Sequence, residues 1–450
     1  MKKLFKGKRL SILGFAKSGI ASANLAKSLG AVVLISDINK NIKAQDKYKI
    51  TKGIEIELGK HSSKILRADL IIKSPGIHND IDILKKARRE NIPVWGEIEF
   101  AYRLIKPKKI LAVTGTNGKT TTTTLLGKIF KKAGHKTVVA GNIGHPLAGL
   151  VKKIDSNTHV VLEVSSYQLE DSFSFHPNVC SILNITPDHL EHHYSMKNYI
   201  KAKKRVFKNQ NSKDFCILNY DDPICRKISE ACPSKVVFFS RKKILNKGVF
   251  YKQGKICVNI GKLKYKFGAQ FKIPGMHNIE NILAAVAMAS VSNIKPSVIK
   301  KAVYSFTGVG HRIEFVSKIN GVKYFNDSKG TNVDSARVAL ESFDKNIWLI
   351  LGGRDKGSPY KPLSDLIREK VKGVFLIGEA ASKIKNELKG TTAIYDVKTM
   401  QNAVSKAHAF AKKGDIVLLS PACASFDQFN DYEDRGRQFK KMVISLEKNA

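Results

Sequence analysis

The chain has 450 residues, of which 43% are hydrophobic and 26% are charged, and this composition excludes a disordered or fibrous protein. Its length exceeds what one hydrophobic core usually serves, so we expect several domains. The 78 lysine and arginine residues outnumber the 38 aspartate and glutamate residues, and the formal net charge is +40. Because basic residues lie throughout the chain, we expect solvated lysine-rich faces that steer anionic substrates, and no nucleic-acid partner. A nucleic-acid-binding protein stays open as an alternative that rests on the charge alone.

The sequence contains no segment that we expect to enter a membrane. The longest uncharged apolar run, residues 282–291, is about half of the roughly 20 residues that span a bilayer. The basic start of the chain is followed by an apolar stretch that Lys17 interrupts, which is not the pattern of a signal peptide. The six cysteines include no C-x-x-C pair and predict neither a zinc site nor a disulfide framework. We expect a cytoplasmic protein with reduced thiols.

The N-terminal part of the chain predicts alternating strands and helices. Strands are predicted at residues 9–13, 32–36 and 68–72, and helices at 20–29 and 80–91. Asp37 closes the second strand where dinucleotide folds place a ribose-binding acid. The turn before the first helix has glycine only at positions 14 and 19, so it lacks the G-x-G-x-x-G pattern. We favour a doubly wound domain that binds another nucleotide, and a nicotinamide site stays open as the alternative.

Two further runs of strands and helices follow Pro107. Strands are predicted at residues 110–113, 137–140, 159–164, 179–184, 215–219 and 235–240, and helices at 119–132 and 281–290. Residues 248–271 alternate like an antiparallel ribbon that Pro274 and Gly275 end. After a hinge at Gly308 and Gly310, strands are predicted at 322–325, 347–351, 374–377 and 415–419. Short apolar strands separated by helices indicate parallel sheets.

The expected fold is therefore α/β, with three consecutive domains built on mainly parallel sheets. We predict a Rossmann-like N-terminal domain over residues 1–98, a central P-loop domain over 99–308 and a Rossmann-like C-terminal domain over 309–450.

The clearest chemical signal is the loop Gly115-Thr116-Asn117-Gly118-Lys119-Thr120, between a buried strand and a helix. It matches the pattern G-x-x-x-x-G-K-[ST] except that Val113 replaces the first glycine. In such a loop backbone N–H groups contact phosphate oxygens, the lysine reaches the β and γ phosphates, and the hydroxyl ligates Mg²⁺. Glu163 lies at the end of one further strand and His189 follows another, and the carboxyl ends of these strands face the same crevice. Together these residues predict a site for ATP and Mg²⁺.

These motifs resemble those of the Mur ligase family, over essentially the whole chain. The matching segments are residues 114–121, 141–144, 163–168, 188–189, 274–278 with Asn281, and 311–312. In the third domain, residues 326–332, 351–356 and 420–429 resemble the branch that adds D-glutamate to UDP-N-acetylmuramoyl-L-alanine. The resemblance implies an ATP-dependent amide-bond ligase of peptidoglycan precursor biosynthesis that works through an acyl phosphate. Gly330 departs from the family, which usually has alanine there.

The resemblance also implies roles for individual residues. The catalytic residues would be Lys119, Glu163, His189 and Lys203, and two Mg²⁺ ions would be held by Thr120, Glu163, His189 and Lys203. Lys203 aligns with the lysine that the family carbamylates, a change that turns a cation into an anionic oxygen ligand. ATP would contact Gly115, Thr116, Asn117, Gly118, Lys119, Thr120, Thr121, Asn278, Asn281, Arg312, Asp327 and Lys329.

The implied substrate contacts are divided among the three domains. The first domain would bind UDP through Phe15, Ala16, Asn39 and Ser74; Asn142, Ser165 and Gln168 would contact the muramoyl group; and Thr331, Lys356, Ser425 and Phe426 would hold D-glutamate. Because residues of the third domain would reach ATP, domain closure would precede the reaction. We expect a monomer. A sister ligase that adds another amino acid, a ligase like folylpolyglutamate synthase and a nicotinamide oxidoreductase stay open as alternatives.

Overall fold

A computed structural model of the chain describes residues 5–42, 49–268, 271, 273 and 275–448. These residues form two compact units: residues up to 268 with 279–303, and residues 271–278 with 304–448. Pro274 of the expected motif and residues 269 and 270 of the expected ribbon lie outside the described residues. Within the described ranges, no helix combines the length and the apolar character needed to cross a bilayer.

The first sheet has five parallel strands in the order β3-β2-β1-β4-β5. Its elements are β1 (Arg9–Leu13), α1 (Lys17–Ser28), β2 (Val32–Asp37), β3 (Glu55–Leu58), β4 (Leu70–Lys73), α2 (Asp82–Arg89), β5 (Val94–Gly96) and α3 (Glu97–Tyr102). The strand order reverses between β1 and β4, so the crevice of this sheet opens at the turns that follow these two strands.

The second sheet has nine strands in the order β14-β13-β12-β11-β10-β9-β6-β8-β7. The strands are β6 (Lys109–Thr114), β7 (Thr137–Gly141), β8 (His159–Glu163), β9 (Val179–Ile182), β10 (Phe215–Asn219), β11 (Lys235–Ser240), β12 (Gly248–Lys252), β13 (Lys255–Ile260) and β14 (Leu263–Gly268). All neighbours pair in parallel except β12 with β13 and β13 with β14, which form the antiparallel ribbon. β6 lies between β8 and β9, which places the loop after β6 at the crevice of this sheet.

Seven helices lie between or after the described strands of this sheet. They are α4 (Lys119–Lys132), α5 (Ser166–Glu170), α6 (Leu190–His193), α7 (Met196–Lys204), α8 (Pro223–Ile228), α9 (Met276–Val291) and α10 (Pro296–Tyr304). The first two sheets share one hydrophobic core, in which Ile98 and Phe100 pack with Leu162 and Phe175.

The third sheet has six strands in the order β15-β16-β20-β17-β18-β19. Its elements are β15 (Glu314–Ile319), β16 (Val322–Asn326), α11 (Val333–Glu341), β17 (Ile347–Gly352), α12 (Ser364–Lys370), β18 (Val371–Ile377), α13 (Ala381–Glu387), β19 (Ala393–Lys398), α14 (Met400–Phe410), β20 (Ile416–Leu419) and α15 (Tyr432–Lys448). Only the edge strand β15 is antiparallel to its neighbour. Separate core clusters, one containing Leu349 and the other Ile350, cover the two faces, as expected of a sheet between two helix layers.

The structure confirms the α/β class and the three mainly parallel sheets. The strand predicted at 179–184 ends at Ile182, and the helix predicted at 20–29 begins at Lys17. β3, β5, β15 and β19 were not predicted, and the residues of β3 and β19 are mostly exposed or half-buried, so they lack the apolar run that marked the other strands. The domain boundaries after residues 98 and 308 stay predictions, because the first two sheets lie within one compact unit.

Candidate active site

The loop predicted to bind phosphate lies between β6 and α4. Gly118 precedes α4 in a left-handed conformation, with φ 84°, and a Cβ added there would overlap Asn281 Oδ1. Glycine is therefore required at position 118 for both its backbone angle and its contact with α9. Thr120 and Thr121 lie in the first turn of α4 and are buried. The predicted ATP residue Asn281 thus lies beside the loop.

Two lysines meet at the same carbonyl group of this loop. Lys119 Nζ donates to Gly115 O at 2.9 Å and to Thr116 O at 2.7 Å, and Lys203 Nζ donates to Gly115 O at 2.8 Å. Lys203 is 1% exposed, and its ammonium lies 4.5 Å from the ring centre of Tyr199. Burial, with a further contribution from the charge of Lys119, holds the pKa of Lys203 well below its usual value. The residue is therefore no surface lysine, and its environment favours the neutral amine.

Glu163 ends β8 directly beside the strand that carries the loop. Its register partners are Val113 of β6 and Gly141 of β7. Its Oε1 accepts a hydrogen bond of 2.9 Å from Asn142 Nδ2. Within the part of the chain that the structure describes, Glu163 Oε2 is buried and makes no hydrogen bond. An anionic oxygen without a partner in a buried position fits a hard cation such as Mg²⁺.

His189 lies on the segment between β9 and α6, in a left-handed conformation with φ 54°. Its ring packs at 4.9 Å against Tyr167, and its nitrogens lie 3.4 Å from Asp188 Oδ2 and 3.6 Å from Glu191 Oε1. The side chain is 44% exposed, so an imidazole nitrogen is accessible to a ligand. Asp188 also contributes to the electrostatic surroundings of Lys203.

Sequence reasoning missed the side chains that hold the loop in place. Asn117 N donates to Asn184 Oδ1 at 2.8 Å, and Thr116 Oγ1 accepts from Thr186 N and lies 3.1 Å from Tyr199 OH. Asn184 and Thr186 lie shortly after the end of β9, in the segment that also carries His189. Polar residues at the end of a strand next to β6 were the available signal.

The three residues expected to contact the muramoyl group lie at the ends of β7 and β8. Asn142 is tied to Glu163, as described above. Ser165 and Gln168 form a capping box on α5, in which Gln168 Oε1 accepts from Ser165 N at 3.0 Å and Ser165 Oγ accepts from Gln168 N. Their hydrogen bonds thus support the helix, and their contact with substrate stays a prediction.

The residues expected to bind UDP surround the crevice of the first sheet. Phe15 N donates to Asp37 Oδ2 at 2.7 Å, and Asn39 N donates to Asp37 Oδ1. The carboxylate that suggested a ribose site therefore accepts hydrogen bonds from the backbone of the loops after β1 and β2. Phe15 and Ala16 line a cavity of about 980 Å³. Ser74 is buried, and among the described residues its Oγ has no hydrogen-bond partner. Asp37 and Gly76 line a second cavity of about 420 Å³.

The residues expected to hold D-glutamate follow neighbouring strands of the third sheet. Thr331 follows β16, Lys356 follows β17 and Ser425 follows β20, and these strands are adjacent in the order β16-β20-β17. Lys356 Nζ lies 3.4 Å from Thr331 Oγ1. Ser425 is buried, whereas Phe426 is 61% exposed. The structure therefore brings a cation, hydroxyl groups and an exposed ring to one end of this sheet.

Of the other ATP residues predicted in the second unit, Asp327 is the most constrained. Its Oδ2 accepts from Ser420 Oγ at 2.8 Å and its Oδ1 from Ile313 N at 3.2 Å. Burial raises the pKa of Asp327 to about 7, although Ser420 and Arg312 oppose the shift. The remaining three are Asn278, which is buried, Arg312, which is exposed, and Lys329, whose ammonium lies 5.6 Å from the ring centre of Tyr432.

Arg435 was missed by the sequence analysis, although it connects the loops of this end. It is fully buried in α15 and donates to Ser328 Oγ, Ser328 O, Ala424 O and Cys423 O. The arginine therefore fixes the segment after β16 against the segment after β20. No sequence pattern marks it, because a lone arginine on a charged helix usually faces solvent.

The comparisons with known proteins agree with this arrangement. Three family profiles match in order: "Mur ligase MurD-like, N-terminal domain" over residues 8–96, "Mur ligase middle domain" over 113–289 and "Mur ligase, glutamate ligase domain" over 311–423. The chain belongs to the Mur ligase family. Mur ligases are ATP-dependent enzymes that generally need Mg²⁺, so the loop and Glu163 are the parts of this chain that fit that requirement.

Similar Mur ligases cover almost the full length of the chain. Proteins named UDP-N-acetylmuramoylalanine–D-glutamate ligase are 46% identical over 446 residues in Koribacter versatilis and 45% identical over 445 residues in Geotalea daltonii, each match covering 98% of both chains. The homologue of the same name from Clostridioides difficile is 42% identical over 98% of this chain and 99% of its own.

Among solved structures, the fold is similar to UDP-N-acetylmuramate-alanine ligase from Thermotoga maritima. That match has a TM-score of 0.63 and 22% identity, and it covers 98% of this chain and 100% of the other. A pseudomurein peptide ligase type C from Methanothermus fervidus matches with a TM-score of 0.58 and 19% identity, over 98% and 100% of the two chains. These likenesses concern the fold.

Proposed function

We propose that this chain uses ATP to join D-glutamate to the carboxylate of UDP-N-acetylmuramoyl-L-alanine, as a step of peptidoglycan precursor biosynthesis. The observation that carries the proposal is the identity of 42–46% over 98% of the chain to proteins named for this reaction. The cation and hydroxyl groups of Lys356, Thr331 and Ser425 at one end of the third sheet support an anionic amino acid as the substrate.

The chemistry consists of two displacements. Backbone N–H groups of the loop and the ammonium of Lys119 bind the β and γ phosphates of ATP. A carboxylate oxygen of the muramoyl substrate attacks the γ phosphorus, and the bond from that phosphorus to ADP breaks, which leaves an acyl phosphate. The amine of D-glutamate then attacks the acyl carbon. The bond between that carbon and the phosphate oxygen breaks, phosphate leaves with the electron pair, and the nitrogen loses a proton. The product is an amide.

We propose that Thr120 and Glu163 hold one Mg²⁺ and that His189 and a carbamylated Lys203 hold a second. Mg²⁺ at such a site neutralises the charge that develops on the transferred phosphoryl group. The unpartnered oxygen of Glu163 supports the first ion. Lys203 supports the second, because a buried amine beside another cation is held in the neutral form that can take up CO₂. An uncarbamylated lysine offers no oxygen ligand.

For the rest of the substrate we propose that the uridine and diphosphate lie at the crevice of the first sheet, near Phe15, Ala16, Asn39 and Ser74. Two cavities there, of about 980 and 420 Å³, are lined by residues of the turns after β1 and β2 and by Gly76. The muramoyl group would pass Asn142, Ser165 and Gln168, and D-glutamate would contact Thr331, Lys356, Ser425 and Phe426. We keep a cytoplasmic monomer as part of the proposal.

The test is an omission experiment that measures phosphate release and identifies the product by mass spectrometry. We expect the mass of the D-glutamyl amide only when ATP, Mg²⁺, the muramoyl substrate and D-glutamate are all present. Lys119→Ala should give no product, while its circular dichroism should match that of the native chain. A native chain that makes no amide with all four components present would refute the proposed reaction.

A further inference from the structure

Three side chains between α5 and α6 form a cluster that the proposed ligation does not use. Glu170 ends α5, and His192 and His193 end α6. His192 Nε2 lies 2.9 Å from Glu170 Oε2, and His193 Nδ1 lies 2.8 Å from Glu170 Oε1. The two imidazoles are almost completely buried, and the carboxylate is 22% exposed. Each carboxylate oxygen therefore faces one imidazole nitrogen.

Within the described residues, His193 has one ring nitrogen that makes no well-formed hydrogen bond. Its other nitrogen, Nε2, lies 2.9 Å from Ser166 Oγ, a partner that fixes the ring. Across the described residues, His193 Nδ1 is buried and makes no hydrogen bond of acceptable geometry, although Glu170 Oε1 is close. A neutral ring that carries its hydrogen on Nε2, facing Ser166 Oγ, leaves a lone pair on Nδ1, and a metal ion bound by Nδ1 and Glu170 Oε1 would satisfy both atoms.

We propose that Glu170, His192 and His193 form a binding site for a divalent transition-metal ion of the Zn²⁺ type. Two imidazoles and one carboxylate are a ligand set that suits this class of ion. One ligand atom from each residue can be chosen so that all three lie within 4.8 Å of one another. Two ligands of one ion with bond lengths of about 2.0 to 2.2 Å lie at most about 4.4 Å apart, so a small movement of the side chains would bring all three onto one ion. The hydroxyl of Ser166 would orient His193 from behind, as partners of metal-binding histidines do.

An open cavity gives this cluster an entry path and room for a further ligand. The cavity has a volume of about 440 Å³, and all three residues line it. It is also lined by Lys85, Arg88, Lys201 and Arg205, whose charges oppose a cation. Both guanidinium groups are directed to backbone oxygens, Arg88 to Asn79 O and Arg205 to Ser172 O. Glu170 supplies the negative charge that the ion needs.

A metal at this cluster would connect two segments that the proposed function also uses. α5 begins after Ser165, and α6 begins after His189. One ion would therefore hold the helix that follows the muramoyl contacts against the helix that follows a proposed Mg²⁺ ligand. The proposed site differs from the nucleotide site in its ligands. Two of its three ligands are imidazoles, which favour transition metals, whereas three of the four ligands proposed for Mg²⁺ are oxygen donors.

The test is a titration of the metal-free full chain with Co²⁺ in the presence of excess Mg²⁺ and without nucleotide, followed by visible absorption. We expect one equivalent of Co²⁺ to bind with the intense visible bands of a four- or five-coordinate ion. Glu170→Gln and His192→Gln should each weaken this binding at least tenfold. His176→Gln is the matched control, because His176 also pairs with a buried carboxylate, Asp214, but lacks a second histidine in that pair. His189→Gln should also retain the bands.

Several outcomes would overturn the proposal. The first is the absence of Mg²⁺-resistant Co²⁺ binding to the native chain, which would leave the cluster as an ion pair between helices. The second is a near-ultraviolet charge-transfer band of a thiolate, which would assign the metal to cysteines. The third is equal binding by native chain, Glu170→Gln and His192→Gln when circular dichroism shows that all are folded. None of these outcomes bears on the ligase reaction, which the omission experiment tests separately.

Discussion

Glu97 should make the free energy of unfolding depend on pH near neutrality, where few carboxyl groups titrate. The side chain is 1% exposed, Oε1 accepts from Ala148 N at 2.7 Å, and within the described residues Oε2 has no hydrogen-bond partner. Burial raises the pKa of Glu97 from 4.5 to about 7. The folded state then binds the proton more tightly than the unfolded state, so this group stabilises the fold at low pH and loses that contribution as pH rises through 7. Between pH 5 and pH 8 the loss should be about 2.5 kcal/mol.

The assay is urea unfolding of the native chain and of Glu97→Gln at pH 5 and pH 8. Glutamine stays neutral at both pH values. The free energy of unfolding of the variant, relative to that of the native chain, should therefore be about 2.5 kcal/mol higher at pH 8 than at pH 5. Asp155→Asn is the control: a hydrogen bond from Lys136 lowers the pKa of Asp155 to about 2, so its window lies below pH 5. A difference between native chain and Glu97→Gln that stays constant from pH 5 to pH 8 would refute the reasoning.

Four further predictions concern the proposed active site. Gly118→Ala should destabilise the chain by about 1 to 3 kcal/mol more than Gly134→Ala in urea unfolding, because both glycines have φ near 80° but only the Cβ at 118 would overlap another side chain. Lys203→Ala should lower kcat at least a hundredfold, and activity of the native chain should fall in CO₂-free buffer and return with bicarbonate; full activity of the variant would remove the carbamate. Glu163→Gln should raise the Mg²⁺ concentration needed for half-maximal phosphate release at least tenfold, and an unchanged requirement would exclude Glu163 as a ligand. Lys356→Ala should raise the KM for D-glutamate at least tenfold with little change in the KM for ATP, and equal changes in both would contradict its role.

The sequence predicted the fold where strands are buried on both faces. The strands around the phosphate loop are continuous apolar runs, and β10 and β11 begin and end as expected. The unpredicted edge strands β3, β15 and β19 are different, because they lack a long run of buried apolar residues. β15 pairs antiparallel to β16 across a tight turn at Asn320 and Gly321, and its residues alternate between buried and exposed positions without a long apolar run.

The residues of the candidate site could be predicted from local sequence only where they form a recognisable backbone motif. Glycines and a lysine at fixed spacing identify the phosphate loop, and Lys203 was singled out by resemblance. Its burial against Gly115 and Tyr199 comes from the packing of α7 on the loop, which no local pattern encodes. No local pattern predicts the burial of Arg435 either. Its four hydrogen-bond acceptors lie on the loop after β16 and on the loop after β20, which are distant from each other in the sequence.

The central claim is that this chain ligates D-glutamate to UDP-N-acetylmuramoyl-L-alanine. The most direct measurement is phosphate release with ATP, Mg²⁺ and UDP-N-acetylmuramoyl-L-alanine against a panel of amino acids that includes D-glutamate, L-glutamate, L-alanine, glycine and L-lysine. The account predicts release with D-glutamate well above that with every other amino acid. Equal or greater release with another member of the panel would contradict it, even if the chain proved to be an active ligase.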